Sequence, residues 1–377
     1  GAALLVITRR VTRSIPASEY LGTVPVRRLT PFGEIKGVGL RAVPRLGLLL
    51  CKMIWRLIRD RRRYDVVLVS GFNFMPLAPV LAGMLTGKPC VVRPESPLEV
   101  TEPVGLDSRR KMGLSERSAA IRLLGGLRRR AARRVDRYIA ISSEIRAGLE
   151  RAGIDGGRIV AIPNGIAVER FAPVSAARKS QLRALLTLPA DRLLLIYTGR
   201  LAVSKGVMML IDVWREIAPL HPEAHLVILG SGQGCFDDCE PALRDFIGAH
   251  AMGSRVTLTG TVANVHEYLQ ASDVFVFPSD YEGFSLSILE AMTAALPMVC
   301  TRVGIAAELA DNCRFGLLVP PRDRESFRDA LQRLLPDAAQ RAEMGANARA
   351  AVQSRYSLTA EARRYLDVFA ALSEHRP

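Results

Sequence analysis

Phe-Pro-Ser-Asp-Tyr-Glu-Gly-Phe-Ser-Leu-Ser-Ile-Leu-Glu-Ala-Met, at 277–292, is the densest pattern in this sequence. An apolar strand over 273–277 ends at a proline, and a short turn with Gly283 then opens a helix. In a parallel sheet covered by helices, ligands bind beyond the carboxyl ends of the strands. The new helix offers free N–H groups from Ser285 and Leu286 at the positive end of its dipole, so this turn favours an anion.

Two glutamates flank the same turn. Glu282 precedes the helix, and Glu290 lies about two turns into it, roughly 10 Å along the axis. Two carboxylates at that separation do not share a proton. They fit two hydroxyl-bearing parts of one elongated ligand with phosphate between them. A solvated pair on an exposed helix is the alternative, which the neighbouring Pro, Ser and Gly residues disfavour.

A second cluster, Tyr-Thr-Gly-Arg at 197–200, ends another apolar strand. Gly199 allows a tight backbone turn. Arg200 and Lys205 would then offer a fork and a point charge to a diphosphate, without a metal ion. Taken alone, these two residues are more typical of ordinary surface cations.

A third cluster, Leu-Gly-Ser-Gly-Gln-Gly at 229–234, follows the next strand. Gly230 and Gly232 alone indicate only a turn. Three such clusters at successive strand ends of one domain favour a single binding site.

Short β-branched runs alternate with amphipathic stretches along the whole chain, which predicts parallel sheets covered on both faces. The alternation occurs twice, with a break at 171–174. We therefore expect an α/β protein with two doubly wound domains, over 1–173 and 174–356, and a final helix within 357–377. The predicted strands are 2–8, 65–70, 89–93, 137–142, 158–162, 193–198, 225–230, 255–259, 273–277 and 297–301.

The net charge of +15 is unevenly distributed over the 377 residues. Residues 1–175 hold 31 basic and 14 acidic side chains, whereas the rest of the chain is nearly balanced. An anionic membrane surface is one candidate partner, because 46–63 and 122–137 combine apolar and basic residues. A core-facing helix with a solvated basic neighbour is the alternative. Nucleic acid is disfavoured, since no zinc-finger, RNP or basic-zipper spacing occurs.

The cysteines and the lengths of the apolar runs bear on the cellular compartment of the protein. Six cysteines lie mostly within apolar strands without a metal-binding spacing, which is typical of free thiols in a reducing cytoplasm. No apolar run reaches membrane-spanning length. We expect a cytoplasmic protein, peripheral at the inner face of the membrane, that is a monomer or a weak dimer.

The three clusters together resemble glycosyltransferase family 4. The matching residues are Gly-Arg…Lys-Gly at 199–206, the glycine loop, and Glu-x7-Glu at 282–290. Further matches are Ile-Pro-Asn-Gly at 162–165, Tyr-Leu-Gln-Ala-Ser-Asp at 268–273 and Gly-Leu-Leu-Val-Pro at 316–320. The resemblance covers almost the whole chain. It implies the GT-B fold, in which two Rossmann-like domains face a central cleft and the final helix crosses back to the first domain.

The resemblance also implies a function. A retaining, metal-independent hexosyltransferase of bacterial polysaccharide or lipopolysaccharide synthesis would move sugar from a nucleotide-diphosphate-sugar to a glycan or lipid-linked acceptor. No other cofactor is implied. Arg200, Lys205 and Glu282 are the predicted catalytic residues. The predicted donor-binding residues are Gly199, Arg200, Lys205, Gly230, Gly232, Glu282, Gly283, Phe284, Ser285, Leu286 and Glu290.

The sequence departs from the family pattern at two places. The first domain lacks its opening strand, glycine-rich loop and helix, so we expect the chain to be a fragment. All five histidines fall in the second half, so the acceptor-side histidine of many relatives has no counterpart. Arg93 and Glu95 occupy the matching region, and we expect them to have modest roles in acceptor binding.

Four alternatives remain open. A sugar-nucleotide epimerase and a glycogen-phosphorylase-like enzyme share the fold, although no lysine has an obvious pyridoxal-phosphate context. An inactive nucleotide-sugar binder is consistent with the missing opening. A nicotinamide dehydrogenase is disfavoured, because its Gly-x-Gly-x-x-Gly fingerprint after the first strand is missing.

Overall fold

The structure, a computed structural model, describes residues 3–9, 14–30, 43–71, 76–96, 99, 126–127, 129–310 and 314–374. The chain forms two compact units, Gly1–Ile162 with Arg363–Pro377 (unit 1) and Pro163–Ala362 (unit 2). The division falls at Ile162 rather than at the predicted residue 173, because the segment after Ile162 is bonded to the chain before the last helix. There the N–H of Ile166 donates to Tyr356 O (2.7 Å), and the N–H of Leu358 donates to Ile166 O (3.1 Å).

Unit 1 contains two sheets in its described part. Strands β4 to β7 form a parallel sheet in which the strands lie in sequence order. Strands β1, β2 and β3 form a smaller mixed sheet of order β1-β3-β2, in which β1 is parallel and β2 antiparallel to β3. The elements are β1 (Val6–Arg9), β2 (Ser18–Leu21), β3 (Val24–Leu29), α1 (Val43–Arg59), β4 (Val67–Ser70), α2 (Leu77–Thr86), β5 (Cys90–Arg93), β6 (Arg137–Ala140), α3 (Ser143–Arg151) and β7 (Ile159–Ala161). Part of the basic stretch at 122–137, namely 122–125 and 128, lies outside the described residues.

The hairpin of β2 and β3 is absent from the sequence-based prediction. A two-residue turn connects the strands, and Gly22 begins it with φ +60°. Positive φ at the first turn position matches the twist of paired strands and favours glycine. All four residues of β2 are at least partly exposed, and the strand contains no apolar run from which it could have been predicted.

The last helix, α12 (Leu358–Glu374), begins in unit 2 and ends in unit 1. Its later apolar residues pack against a buried cluster on the parallel sheet of unit 1. The cluster is Val91, Ile139 and Ile162, and the helix residues are Tyr365, Val368, Phe369 and Leu372.

Unit 2 has one six-stranded parallel sheet of order β10-β9-β8-β11-β12-β13. From β8 the chain moves outward to β10, then returns to the other side of β8 and continues to β13. The topological switch point therefore lies between β8 and β11. The elements are α4 (Ala176–Leu185), β8 (Leu193–Thr198), α5 (Val207–Ile217), β9 (Ala224–Leu229), α6 (Glu240–Ala249), β10 (Val256–Gly260), α7 (Val265–Ala271), β11 (Val274–Phe277), α8 (Leu286–Thr293), β12 (Met298–Thr301), α9 (Gly304–Leu309), β13 (Gly316–Val319), α10 (Arg324–Leu334) and α11 (Ala338–Arg355).

One aspartate anchors the amino ends of the two central strands. Asp273, immediately before β11, accepts hydrogen bonds from Lys179 Nζ (2.6 Å), from Arg183 Nη2 (2.7 Å) and from the N–H of Leu194 in β8 (2.7 Å). Arg183 is buried and also donates to three backbone carbonyls. This network joins α4, β8 and β11 at the edge of the sheet opposite the predicted site.

The five cysteines in the described part of the chain are free thiols, and Cys313 lies outside it. Burial raises the pKa of Cys90 to about 12. Among the helices that the structure describes, none is both long and apolar enough to cross a membrane.

Candidate active site

The predicted clusters of unit 2 meet at the switch point. Gly199–Lys205 follows β8, and Pro278–Ser285 follows β11. Gly206, which follows the first segment, has φ +69°, and a Cβ atom there would lie 2.0 Å from Pro278 O. Only a glycine lets the two loops approach this closely.

Lys205 and Glu282 form an ion pair across the switch point. Lys205 Nζ lies 2.6 Å from Glu282 Oε1, and the two side chains are only 15% and 11% exposed. The sequence predicted a phosphate-binding role for the lysine and a sugar-binding role for the glutamate, and the structure places them in direct contact. The Arg200 side chain is exposed and has no ion pair among the described residues.

The glycine loop lies against the first cluster. Gly230 has φ +139°, and a Cβ atom there would lie 1.8 Å from Gly199 O. At Gly232 a Cβ atom would lie 1.7 Å from Asp238 Oδ1. Both glycines are therefore required by close approach rather than by turn formation alone.

Glu240, at the start of α6, holds the glycine loop and was missed by the sequence analysis. Its Oε2 accepts hydrogen bonds from Ser231 Oγ (2.7 Å) and from the N–H of Gly232 (2.9 Å). A hydrogen bond from Arg244, together with these two, lowers the pKa of Glu240 to about 2. An acidic residue opening the helix after a glycine loop was the available signal.

Asp237 holds the turn that carries Lys205. Its Oδ2 accepts the N–H of Ser204 (2.9 Å), and its carbonyl accepts the N–H of Val203 (2.8 Å). The hydrogen bonds from Ser204 lower the pKa of Asp237. Ser204 O in turn accepts the N–H of Asp280 (3.0 Å), so backbone bonds connect all three loops.

The amino terminus of α8 is open toward this site. Ser285 is its N-cap residue with φ 74°, and its side chain makes no capping hydrogen bond. Leu286, the first helical residue, is exposed. Phe284 is buried beneath them, and Gly283 forms the bend before it.

Glu290 lies deeper along α8 and is partly buried. Burial raises the pKa of its carboxyl group, and the positive charge of Arg170 opposes that shift. A partly buried carboxyl of this kind is suited to accepting hydrogen bonds from ligand hydroxyls.

Thr198, the last residue of β8, was not singled out by the sequence analysis. Its hydroxyl oxygen is buried and has no hydrogen-bond partner among the described residues. A buried polar group without a partner costs free energy, so this hydroxyl lowers the stability of unit 2 relative to a methyl group of the same shape.

In unit 1, Arg93 and Glu95 are brought together. Arg93 Nη1 lies 3.5 Å from Glu95 Oε1, which also accepts a hydrogen bond from Ser70 Oγ. The N–H of Glu95 donates to Glu99 Oε2 (3.0 Å). The acceptor roles of the two residues remain predictions. No group of three His, Cys, Asp or Glu residues in the described ranges is arranged to hold a metal ion.

Comparison with known proteins identifies two family matches. Residues 1–170 match "Glycosyltransferase Family 4", and residues 192–337 match "Glycosyl transferases group 1". Alpha-D-kanosaminyltransferase of Streptomyces kanamyceticus is 34% identical over 188 residues, which are 49% of this chain and 47% of that protein. The chain thus matches about half the length of this relative.

Two further similarities cover more of the chain. The lipopolysaccharide core biosynthesis mannosyltransferase LpsB of Rhizobium meliloti is 27% identical over 70% of this chain and 74% of its own. The crystal structure of HepE from Anabaena in complex with UDP superposes with a TM-score of 0.73 at 20% identity, covering 92% of this chain and 86% of that one. The similarity confirms the predicted GT-B fold with two Rossmann-like domains.

Proposed function

This chain belongs to glycosyltransferase family 4, and from that premise we propose that it moves a sugar from a nucleotide-diphosphate-sugar to a hydroxyl acceptor with retention of anomeric configuration. The observation that carries the proposal is the convergence of three loops at the β8–β11 switch point. Two cations, an uncapped helix terminus and two carboxyl groups lie on those loops.

The donor would lie along the row of strand ends. Arg200, Lys205 and the N–H groups at the start of α8 would bind its diphosphate, since fixed positive groups stabilise a leaving diphosphate. Glu290 would accept hydrogen bonds from the ribose hydroxyls, and Glu282 would contact the sugar. Because HepE was crystallised with UDP, a uridine nucleotide is the first donor to test.

Transfer would proceed on one face of the sugar. The bond between the anomeric carbon and the diphosphate oxygen breaks, and the acceptor oxygen bonds to the same face of that carbon. The departing phosphate oxygen takes the acceptor's proton, so atoms and charges balance. Glu282 would stabilise the positive charge that develops at the anomeric carbon. No step in this scheme uses a metal ion.

The acceptor class follows from the relatives. LpsB is named for lipopolysaccharide core biosynthesis, and another relative, from Escherichia coli, is named as a galactosyltransferase acting on a diphosphoundecaprenol-linked sugar. We infer that this chain acts on a glycan or a lipid-linked intermediate of cell-surface polysaccharide synthesis.

Calorimetric titration with UDP, GDP and ADP tests the proposed donor site. We expect micromolar binding of one nucleotide, weakened at least tenfold in Lys205→Met and in Glu290→Ala, while the exposed control Glu343→Ala binds normally. Product formation from the matching nucleotide-sugar then separates a transferase from a binding protein. Binding that both site variants leave unchanged would refute the donor site.

A further inference from the structure

Helix α1 of unit 1 has one face of exposed residues that the described part of the unit does not bury. Leu48, Cys51, Trp55 and Arg59 recur at helical spacing, and all four are exposed. Leu48 is 49% and Trp55 is 59% exposed, whereas Leu49, the residue after Leu48, is buried. We call the four exposed residues the α1 face. Exposed apolar side chains that lie next to one another are typical of interaction surfaces, whereas single ones need no explanation.

Positive charge adjoins this apolar surface. The guanidinium of Arg59 lies over the Trp55 ring, 5.1 Å from its centroid. After the helix and the buried Asp60, which pairs with Arg56, come Arg61, Arg62 and Arg63, all exposed. These three arginines have no ion pair among the described residues, so their charge faces solvent.

The neighbouring helix adds to the uncovered apolar area. Helix α2 packs directly against α1 and exposes Leu81, Met84 and Leu85, which occupy one side of the helix. Unit 1 therefore presents two adjacent helices, each with an apolar outer side, and the arginine cluster follows the first of them.

We propose that the α1 face docks on the surface of a bilayer that contains anionic phospholipid. Trp55 and Leu48 would enter the headgroup region, where an indole is favoured, and the three arginines would contact lipid phosphates. Charge complementarity selects this partner. A second copy of the chain would bring like charges together, and nucleic acid would leave the apolar side chains without a partner. The proposal does not depend on the transferase activity.

The two tryptophans allow a direct test with the unmodified chain. Trp55 is exposed, whereas Trp214 is fully buried in unit 2. Adding vesicles of phosphatidylcholine with phosphatidylglycerol should shift the tryptophan emission to shorter wavelength, and lipids brominated on their acyl chains should quench it. Trp55→Phe should abolish both effects while the Trp214 signal remains. No shift in the wild-type chain would refute the proposal.

Sedimentation with vesicles measures the contribution of charge. Replacing Arg61, Arg62 and Arg63 by Gln should lower the partition coefficient on anionic vesicles roughly 100-fold, because each cation near an anionic surface contributes about a fivefold factor. Pure phosphatidylcholine vesicles should bind far less of the wild-type chain.

The matched control replaces the exposed unit 2 residues Arg178, Arg333 and Arg355 by Gln, which should leave partitioning within about threefold of wild type. Leu48→Ser should weaken partitioning, and the exposed control Leu185→Ser should not. Equal losses in the two arginine triples would show that net charge, not this face, governs binding, and would overturn the proposal. Wild-type binding to duplex DNA in place of vesicles would overturn it as well.

Discussion

The ion pair between Lys205 and Glu282 should appear as a coupling energy in unfolding experiments. At 2.6 Å, the Coulomb attraction is about 1.6 kcal/mol in water and about 6 kcal/mol at an effective dielectric constant of 20. With both side chains less than one-fifth exposed, desolvation offsets part of this attraction. We expect Lys205→Met and Glu282→Gln each to lower the free energy of unfolding by about 3 kcal/mol, since each strands the other charge. The double variant should lose about 2 kcal/mol less than the sum.

Urea denaturation followed by Trp214 fluorescence measures this coupling. Trp214 is buried in unit 2, and a Trp55→Phe background removes the signal of unit 1. The transition therefore reports the unit that contains the pair. Coupling should fall only slightly in high salt, because a poorly exposed pair is weakly screened. Single losses that add within about 0.5 kcal/mol would refute an ion pair in solution.

The same pair predicts opposite effects on ligand binding. In the free protein Glu282 competes with the proposed diphosphate for Lys205. Glu282→Gln should therefore tighten nucleoside diphosphate binding, and Lys205→Met should weaken it. Calorimetry distinguishes the two variants, and equal weakening in both would contradict the assignment of Lys205 to the diphosphate.

Three further predictions concern the loops around the pair. Gly230→Ala should lower the free energy of unfolding by more than about 2 kcal/mol, because the added Cβ atom would overlap a carbonyl oxygen. The control Gly253→Ala, where the added Cβ atom would meet open space, should lower it by less than about 1 kcal/mol, and urea midpoints compare the two variants. Thr198→Val should raise the unfolding free energy by about 1 kcal/mol, because it removes a buried hydroxyl without a partner in the described part of the chain. Thr293→Val should destabilise instead, because it removes a hydroxyl that donates to Leu289 O at 2.7 Å; urea midpoints compare the two variants. Because the pKa of Glu240 is depressed from its ordinary value of 4.5, the stabilisation that this carboxylate gives the folded state is complete above pH 4.5 and is lost as pH falls toward about 2. The melting temperature should therefore drop less steeply over that pH range in Glu240→Gln than in the wild-type chain. Parallel curves for the two proteins would rule this out.

The central strands of unit 2 could be predicted from the sequence because buried parallel strands are continuous apolar runs. Each of β8, β9 and β11 begins or ends within about a residue of its predicted limit. The proline after β11 and the glycine after β8 likewise mark strand ends locally. Local signals of this kind placed three clusters at one edge of the sheet, and the structure brings them together.

Contacts between distant parts of the chain could not be predicted in this way. The pairing of Lys205 with Glu282 joins residues 77 positions apart. Glu240 lies at the start of α6 and accepts hydrogen bonds from the glycine loop. The spacing of apolar residues does not mark where this helix begins, so the contact could not be predicted. Nothing in the sequence distinguishes Thr198 from other strand residues, and only the structure shows that its hydroxyl has no hydrogen-bond partner in the described part of the chain. In unit 1, the hairpin of β2 and β3 has few buried residues, so its sequence lacked a strand signal.

In unit 2, the residues that stabilise the sheet and the residues proposed to bind the donor lie at opposite ends of the strands. Residues that bind the central strands to each other lie at the amino ends, and none of them belongs to the proposed donor site. The loops at the carboxyl ends can therefore diverge without loss of the framework. If the proposed donor site is correct, a new donor preference could arise by changes in the segments around Arg200, Gly232, Glu282 and Glu290 alone, and we expect that grafting those segments from a relative would alter sugar usage.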